Sequence, residues 1–336
     1  MNYLPPRRSD GTNQDRRIQN AWPSDKPFKI LSIDGGGICG ILPAALLAEF
    51  EKRYLEGQPI GHHFDMIAGT STGGILALGL GQGISAQEIL EMYLTHGISI
   101  FPPMNKLQKL IHGARRFVRY SYDPRALKTA LQKTFQQSVL ASSKNRLCIP
   151  SFEGVYGEPW IYKTPHHADY QKDQHAFLVD IGLATSAAPT FFPAVENNGY
   201  VMVDGGIWAN NPIMIAVTDT LSCFEVRREN VHVLSLGCGT SSFQVTRQKA
   251  TGGMWQWKDA IKAAMRAQSH NALGQSYLLL GKPNVVRLDA PDGTGGIELD
   301  DYRRASAELP ALARTLAESS GQFVLERFLK EQSVFA

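Results

Sequence analysis

Short apolar runs alternate along this chain with segments in which apolar residues recur every three or four positions. Runs of this kind, bounded by glycine or polar residues, are typical of buried strands. They predict strands at residues 28–33, 64–68, 147–152, 200–203, 231–236 and 284–288.

The segments with helical spacing predict helices between these strands. The first begins near Ile41. A second is marked by Ser85 and Glu88, which have the spacing of a capping box, and a third by Asp123-Pro124, a cap followed by proline at the first helical position. Further helices are predicted at 75–78, 177–186, 213–223 and 255–280. The alternation predicts an α/β fold with a mostly parallel central sheet and helices on both faces.

Composition agrees with one large domain. The chain has 336 residues, of which 43% are hydrophobic and 19% charged, enough to bury a sizeable core. Residues 1–26 are rich in proline, arginine, aspartate and asparagine and predict a flexible N-terminal arm. No repeat or linker divides residues 27–336, so we expect a single domain that ends in a helical region. The net charge of +3 is too small to indicate DNA or RNA as a partner.

The cysteines are far apart and form no Cys-x-x-Cys pair, which favours a reducing cytoplasm and gives no reason to expect a metal site. They are Cys39, Cys148, Cys223 and Cys238. The N-terminus lacks the apolar core of a signal peptide, and no apolar run approaches the roughly 18 residues of a membrane span. We therefore expect a cytoplasmic protein whose membrane contact is peripheral.

A candidate nucleophile lies in Gly69-Thr70-Ser71-Thr72-Gly73, between a predicted strand and a predicted helix. In Gly-x-Ser-x-Gly the serine occupies a sharp strand-to-helix turn, and the small neighbours tolerate its strained backbone. The helix N-terminus below it offers N–H groups to a developing oxyanion. The same residues could also form an ordinary glycine-rich turn with a bystander serine.

A glycine-rich loop follows the first strand, with Gly35, Gly36, Gly37 and Gly40 after Asp34. The spacing also fits a dinucleotide-binding fingerprint, which would indicate an oxidoreductase. That fingerprint requires an acidic residue at the end of the second strand, where this chain has Gly69-Thr70-Ser71. The alternative, which we favour, is that the backbone N–H groups of the loop stabilise an oxyanion.

A candidate general base, Asp204, ends a predicted strand and precedes Gly205-Gly206. None of the nine histidines stands at the end of a late strand, and His232 lies inside an apolar strand, as a core residue would. An aspartate at its ordinary pKa is a weak base, so the site must be dry enough to raise that pKa. Taken alone, Asp204 could equally be a turn residue.

These residues together closely resemble the patatin-like phospholipase family over most of residues 28–240. The stretches 184–194 (ATSAAPTFFPA) and 204–212 (DGGIWANNP) resemble the family's segments around its last catalytic strand. The resemblance implies a three-layer α/β/α sandwich with a Ser71–Asp204 dyad and an oxyanion hole from the Gly35–Gly37 amides. It implies hydrolysis of acyl esters in glycerolipids without a metal or cofactor, with Gly40, Gly69, Gly73 and Gly205 supporting the motifs.

Within the family, residues 69–103 are similar to bacterial CapV-type phospholipase effectors of antiphage defence. This likeness implies activation by a cyclic dinucleotide from a partner synthase and degradation of phospholipids at the inner face of the bacterial inner membrane. It is compatible with a homodimer. The binding site of the activator is not located by the sequence. Where many family members carry a basic residue this chain has Cys39, which puts any contribution of that charge in doubt.

Residues 105–122 combine apolar residues at helical spacing with five lysines and arginines. Such a helix can rest on an anionic membrane, cover an active site or hold the phosphates of a nucleotide. It can also be a solvated helix whose apolar face packs on the core. Two other functions remain open for the whole chain: a constitutive esterase or lipase without nucleotide control, and a lipid- or nucleotide-binding module whose dyad is idle.

Overall fold

The computed structural model describes residues 4–7, 17–103, 120–239, 245–246, 260–291 and 296–333. The strands are β1 Phe28–Ile33, β2 Met66–Gly69, β3 Arg146–Glu153, β4 Glu158–Lys163, β5 Val195–Asn197, β6 Tyr200–Asp204, β7 Val231–Leu236 and β8 Val285–Leu288. The helices are α1 Ile41–Tyr54, α2 Thr72–Gly81, α3 Ala86–Ile100, α4 Pro124–Phe135, α5 Leu178–Thr185, α6 Gly206–Ala209, α7 Ile213–Cys223, α8 Ala260–Leu280 and α9 Tyr302–Val324.

One sheet joins all eight strands in the order β5-β6-β3-β2-β1-β7-β8, with β4 paired to β3. Five neighbouring strands, β3, β2, β1, β7 and β8, run parallel. The pairs β3–β4, β3–β6 and β5–β6 are antiparallel. Ile33 pairs with Gly69 on one side and with Leu236 on the other. The carboxyl ends of β1, β2 and β7 therefore meet at one edge, which carries the candidate site.

The pairing of β3 with β2 and β6 sets the position of the end of β6. Residues Arg146–Cys148 of β3 pair with β2, and residues Ser151–Glu153 pair with β6. Because β4 pairs with β3 along the opposite edge, β2 and β6 share one edge of β3 and meet end to end. The end of β6 is thereby directed at the turn that follows β2.

The two faces of the sheet carry separate cores, as the alternation of β1 shows. Leu31 and Ile33 belong to the core under α1, α2, α3, α4, α5 and α9, whereas Phe28 and Ile30 belong to the core under α7 and α8. Successive side chains of a strand point to opposite faces, so a strand buried on both faces is apolar throughout. The structure confirms the predicted three-layer α/β/α arrangement with a mostly parallel sheet.

Local sequence patterns predicted most of the helix starts. Ser85 and Glu88 form the predicted capping box, and the Asp123 side chain accepts a hydrogen bond from Arg125 N, with Pro124 at the first helical position. Strands β4 and β5 and the extent of α9 were not predicted. In β4 and β5 the burial follows no clear alternation and most residues are only half-buried, so they lack the apolar run that marks the central strands.

Part of the predicted N-terminal arm is in contact with the domain. Asn20 forms a β-bridge with Phe224, and the Trp22 ring lies 4.5 Å from that of Phe28, centroid to centroid. The boundary between residues 26 and 27 stays a prediction.

The basic segment 105–122 lies outside the described residues except for 120–122. Among the helices of the described ranges, none is long and apolar enough to cross a bilayer.

Candidate active site

Ser71 occupies the turn between β2 and α2 with φ +55° and ψ −122°. A positive φ is strained for a residue with a side chain and persists only where the surrounding structure enforces it. Here two glycines provide the space: a Cβ at Gly69 would overlap the Gly73 carbonyl oxygen, and a Cβ at Gly73 would overlap that of Ile33. The turn therefore needs glycine at both flanking positions of the motif.

Asp204, the last residue of β6, reaches the Ser71 hydroxyl. Ser71 Oγ donates a hydrogen bond of 2.7 Å to Asp204 Oδ2, and the Gly206 N–H donates one of 2.6 Å to Asp204 Oδ1. Both side chains are nearly covered, with Ser71 8% and Asp204 5% exposed. The two residues, 133 positions apart in sequence, thus form one hydrogen-bonded pair.

Burial raises the pKa of Asp204 to about 6, although the hydrogen bonds from Gly206 and Ser71 favour the ionised form. A carboxylate loses solvation when it is buried, so the neutral acid becomes relatively more stable. At neutral pH the group is therefore still mostly ionised but is a better proton acceptor than an ordinary aspartate.

The backbone of the nucleophile turn is held by Thr185, at the end of α5. The Ser71 N–H donates to Thr185 Oγ1 at 3.0 Å, and Thr185 Oγ1 donates to the Pro150 carbonyl at 2.6 Å. The Ser71 N–H is therefore engaged within the protein. Thr185 lies in the segment that carries the family resemblance, but no local pattern assigned it this contact.

The glycine-rich loop lies directly beside Ser71. A Cβ at Gly35 would stand 3.4 Å from Ser71 Cβ, and the Gly35 N–H donates to the Asn210 carbonyl at 3.0 Å. Gly35 therefore fastens the loop and does not offer a donor to a substrate. The N–H groups of Gly36 and Gly37 donate no hydrogen bond to any part of the chain that the structure describes.

The other predicted glycines support this geometry by close packing. A Cβ at Gly40 would overlap the Thr72 side chain, and one at Gly205 would overlap the Pro150 carbonyl. Gly37 has φ +54° and packs against Leu299. The Cys39 thiol lies against the chain before α9, with Sγ 3.6 Å from the Ile297 carbonyl oxygen. Burial raises the pKa of the Cys39 thiol to about 12, so it is neutral and supplies no charge.

Helix α8 forms hydrogen bonds with the chain that follows Asp204, a contact that sequence reasoning missed. The Asn211 N–H donates to Gln268 Oε1 at 3.0 Å, and Gln268 Nε2 donates to the Asn211 carbonyl at 3.2 Å. Asn210 Nδ2 adds a bond of 3.1 Å to Ser269 Oγ. The partners are more than 50 positions apart and lie on a helix with no motif, so no sequence signal was available.

One group of side chains could in principle hold a metal ion. Ligand atoms of Cys148, His166 and Asp219 lie within 4.8 Å of one another. Asp219 is instead engaged by Lys163 and by His166 Nε2 at 2.7 Å. Burial alone would raise the pKa of Asp219, but these partners hold it well below its ordinary value. The carboxylate charge is thus already balanced, and the group is best described as a structural network.

Comparison with known proteins identifies similar proteins over most of the chain. Residues 31–217 match the patatin-like phospholipase family. A "cGAMP-activated phospholipase" of Vibrio cholerae is 31% identical, over 91% of this chain and 93% of the relative. "Patatin-like protein 2" of Oryza sativa subsp. indica is 35% identical, over 69% of this chain and 66% of the relative. Among solved structures, VipD from Legionella pneumophila is similar over 92% of this chain and 72% of that chain, with 13% identity and a TM-score of 0.43.

The family match includes the glycine-rich loop, the Ser71 turn and Asp204, and it extends over more than half of the chain. The relative from Vibrio cholerae aligns over nearly the full length of both proteins. The chain therefore belongs to the patatin-like phospholipase family and is a hydrolase of acyl esters in lipids.

Proposed function

We propose that this phospholipase acts through a Ser71–Asp204 dyad on the acyl esters of membrane phospholipids. The observation that carries the proposal is the 2.7 Å hydrogen bond from Ser71 Oγ to Asp204 Oδ2. A serine hydroxyl is a weak nucleophile until a neighbouring base accepts its proton. Among the described residues, Asp204 is the hydrogen-bond partner of that hydroxyl.

In the first half of the reaction, Ser71 Oγ attacks the acyl carbonyl carbon while its proton passes to Asp204. The tetrahedral intermediate collapses, and Asp204 returns the proton to the leaving lysophospholipid oxygen. The acyl chain remains as an ester on Ser71. In the second half, Asp204 takes a proton from water, which attacks the acyl-serine, and the fatty acid leaves as Oγ regains a proton. No redox or metal-dependent step is required.

The negative charge on the former carbonyl oxygen is stabilised by the N–H groups of Gly36 and Gly37. These donors lie on the loop that contacts Ser71 through Gly35, and the described part of the chain leaves them without an acceptor. A single donor of this kind is worth about 100- to 1000-fold in rate. The Gly35 N–H, which binds the Asn210 carbonyl, takes no part.

We further propose that a cyclic dinucleotide from a partner synthase switches the enzyme on, as part of an antiphage defence. The support is the similarity to the cGAMP-activated phospholipase of Vibrio cholerae, which aligns with nearly the whole chain. On this proposal the enzyme contacts phospholipids peripherally at the inner face of the inner membrane. Three further points stay predictions: a membrane- or activator-binding role of the basic segment 105–122, a single domain from residue 27, and a homodimer.

The dyad is tested by replacing Ser71 with alanine and measuring fatty acid release from phospholipid vesicles. We expect release to fall by at least 100-fold, since removal of the nucleophile eliminates the acyl-serine route. Ser276→Ala is the matched control, because Ser276 is also buried but lies on α8 and donates to the Leu273 carbonyl. Equal activity of Ser71→Ala and the native protein would overturn the dyad.

Nucleotide control is tested with the native protein on the same vesicles, with and without a panel of cyclic dinucleotides. We expect at least one of them to raise the rate. Full activity without any of them would identify a constitutive esterase or lipase instead. Binding of a dinucleotide or of vesicles, with no turnover under any condition, would identify the binding module whose dyad is idle.

A further inference from the structure

An arginine outside the matched family region lies directly behind the glycine-rich loop. Arg287 belongs to β8, and its side chain is 16% exposed. Its Nη1 donates to Asp34 Oδ1 at 3.0 Å and its Nη2 to Asp34 Oδ2 at 2.7 Å. Asp34 is 1% exposed. The pair is thus a two-pronged, buried ion pair between the ends of two strands.

Asp34 connects β1 to the loop that carries the proposed oxyanion donors. Its own N–H donates to the Leu236 carbonyl at 3.0 Å, and that of the next residue, Gly35, donates to Asn210. Beyond the two donors, the Gly36 carbonyl accepts a hydrogen bond from Cys39 N, and the Ile38 N–H donates to the Leu299 carbonyl. Asp34 is the anchor on the strand side of the Gly36 and Gly37 amides, and its position therefore helps to set where they point.

Arg287 is itself held in place by groups of β7 and of the chain after β8. Its Nη1 also donates to Ser235 Oγ at 2.8 Å, and its Nη2 to Asp289 Oδ2 at 2.6 Å. Asp289 Oδ1 accepts hydrogen bonds from Gly239 N and Ala290 N. The guanidinium thus binds two carboxylates at once and cannot turn without breaking both contacts.

Stability alone is a weak explanation for such an arrangement. Replacing a buried ion pair by apolar side chains of similar volume is often neutral or stabilising. What a two-pronged arginine–carboxylate pair adds is orientation, because its planar fork fixes both partners. The loop is also confined on its other side, where a Cβ at Gly36 would overlap the Cys238 side chain.

We propose that Arg287 is a positioning residue of the reaction: it fixes Asp34 and thereby directs the Gly36 and Gly37 N–H groups at the developing oxyanion. The inference rests on the proposed function, because it assumes that these amides serve the Ser71 reaction. Arg287 touches neither Ser71 nor Asp204 within the described structure. Its direct hydrogen bonds to the segment that carries the donors are those to Asp34.

The test compares kcat and KM of Arg287→Gln, Arg287→Lys and the double variant Asp34→Asn/Arg287→Gln, using a soluble short-chain ester. We expect Arg287→Gln and the double variant to lose about 10- to 100-fold in kcat, less than the loss of a donor itself, with KM nearly unchanged. Arg287→Lys keeps the charge but loses the fork, so it should recover part of kcat. The double variant removes the charges of Asp34 and Arg287 together, so it leaves no unpaired carboxylate at position 34, while Asp289 keeps its hydrogen bonds from Gly239 N and Ala290 N.

Lys29→Met is the matched control for the loss of a buried cation. Lys29 lies near the start of β1, the strand that leads to Asp34, at the end away from the site, and donates to the Phe328 and Glu331 carbonyls. The substitution Lys29→Met should lower the thermal stability of the protein without lowering its kcat.

If Arg287 is only structural, the double variant will keep the native kcat once folded, and this result overturns the inference. If Arg287→Gln does not fold, the kcat values of the double variant and of Arg287→Lys still test the inference. An active Ser71→Ala protein would instead remove the proposed function, so the two failures are distinguishable.

Discussion

At the scale of single residues, Asp204 combines two opposing requirements. It must be ionised to accept the Ser71 proton, yet its burial raises its pKa to about 6. The hydrogen bonds from Gly206 N and Ser71 Oγ limit that rise. An ordinary aspartate, ionised down to a pH of about 4, would be a weaker base toward serine.

We predict that kcat/KM of the native enzyme falls as the pH drops below about 6, because protonated Asp204 cannot accept the Ser71 proton. Asp204→Asn should lose about 100- to 10,000-fold in kcat at every pH, since its amide is not a base. The measurement is a pH profile of ester hydrolysis by both proteins. A native profile that stays flat from pH 5 to about 8 would contradict the assignment.

The same substitution should stabilise the fold above pH 6. The folded-state pKa of Asp204 is raised from 3.8 to about 6, so its contribution to stability is full below the unfolded value and is lost as the pH rises through the folded value. The difference between these values corresponds to about 3 kcal/mol. Asp204→Asn should therefore melt at a higher temperature than the native protein at pH 8, and the advantage should vanish near pH 4.

We predict that Thr185→Val lowers kcat by about 10- to 100-fold with little change in KM. It removes the acceptor of the Ser71 N–H and the donor to the Pro150 carbonyl, so the nucleophile shifts within its turn. The matched control is Thr220→Val, since Thr220 is equally buried but lies on α7 beside Met66. Steady-state kinetics measure the effect, and equal kcat in the two variants would count against a positioning role for Thr185.

At the scale of elements, the site depends on which strands share an edge. Strands β2 and β6 meet end to end along β3, which brings Asp204 to Ser71. Helix α8 then fastens the chain that leaves β6 through the paired hydrogen bonds of Gln268 and Asn211. The helix is thus part of the site without contributing a reacting group.

Loss of the Gln268–Asn211 hydrogen bonds should loosen the chain that follows Asp204. We predict that Gln268→Ala costs about 1–2 kcal/mol in the free energy of unfolding, as expected for the loss of two part-buried hydrogen bonds, and lowers kcat several-fold. Gln275→Ala on the same helix is the control, because Gln275 is exposed. Chemical denaturation and kinetics measure the two effects; if both variants match the native protein, α8 does not support the site.

At the scale of the whole molecule, part of the predicted N-terminal arm packs against the start of the sheet. Trp22 is 8% exposed and packs on Phe28 and Phe224, with the Arg146 guanidinium 5.4 Å from its ring. These contacts lie at the start of β1, opposite the edge that carries Ser71. They make residues near 22 part of the fold as the structure describes it.

We predict that Trp22→Ala destabilises the protein by about 3–5 kcal/mol, because it leaves a cavity between aromatic side chains. The kcat of the remaining folded protein should not change, since the site lies at the other edge. Ile18→Ala is the control in the same segment, as Ile18 is 89% exposed. If Trp22→Ala has native stability, residues 1–26 are the flexible arm that composition predicts.

The sequence by itself determined what is local. The apolar runs located the central strands and the capping signals located helix starts, because burial on both faces and an exposed helix end each require particular residues nearby. Glycines around Ser71 and after Asp34 and Asp204 indicated turns, and the family resemblance joined them into one proposed site. Strands β4 and β5 were missed because they lie half-exposed and carry no clear pattern.

Only the tertiary structure decided how distant segments meet. It joined Ser71 to Asp204 by placing β2 and β6 on one edge of β3, and it brought Thr185, Gln268 and Arg287 to the site from three further elements. It also assigned the Gly35 N–H to Asn210, which leaves Gly36 and Gly37 as the candidate donors. Such contacts depend on strand order and packing, and no short stretch of sequence encodes either of them.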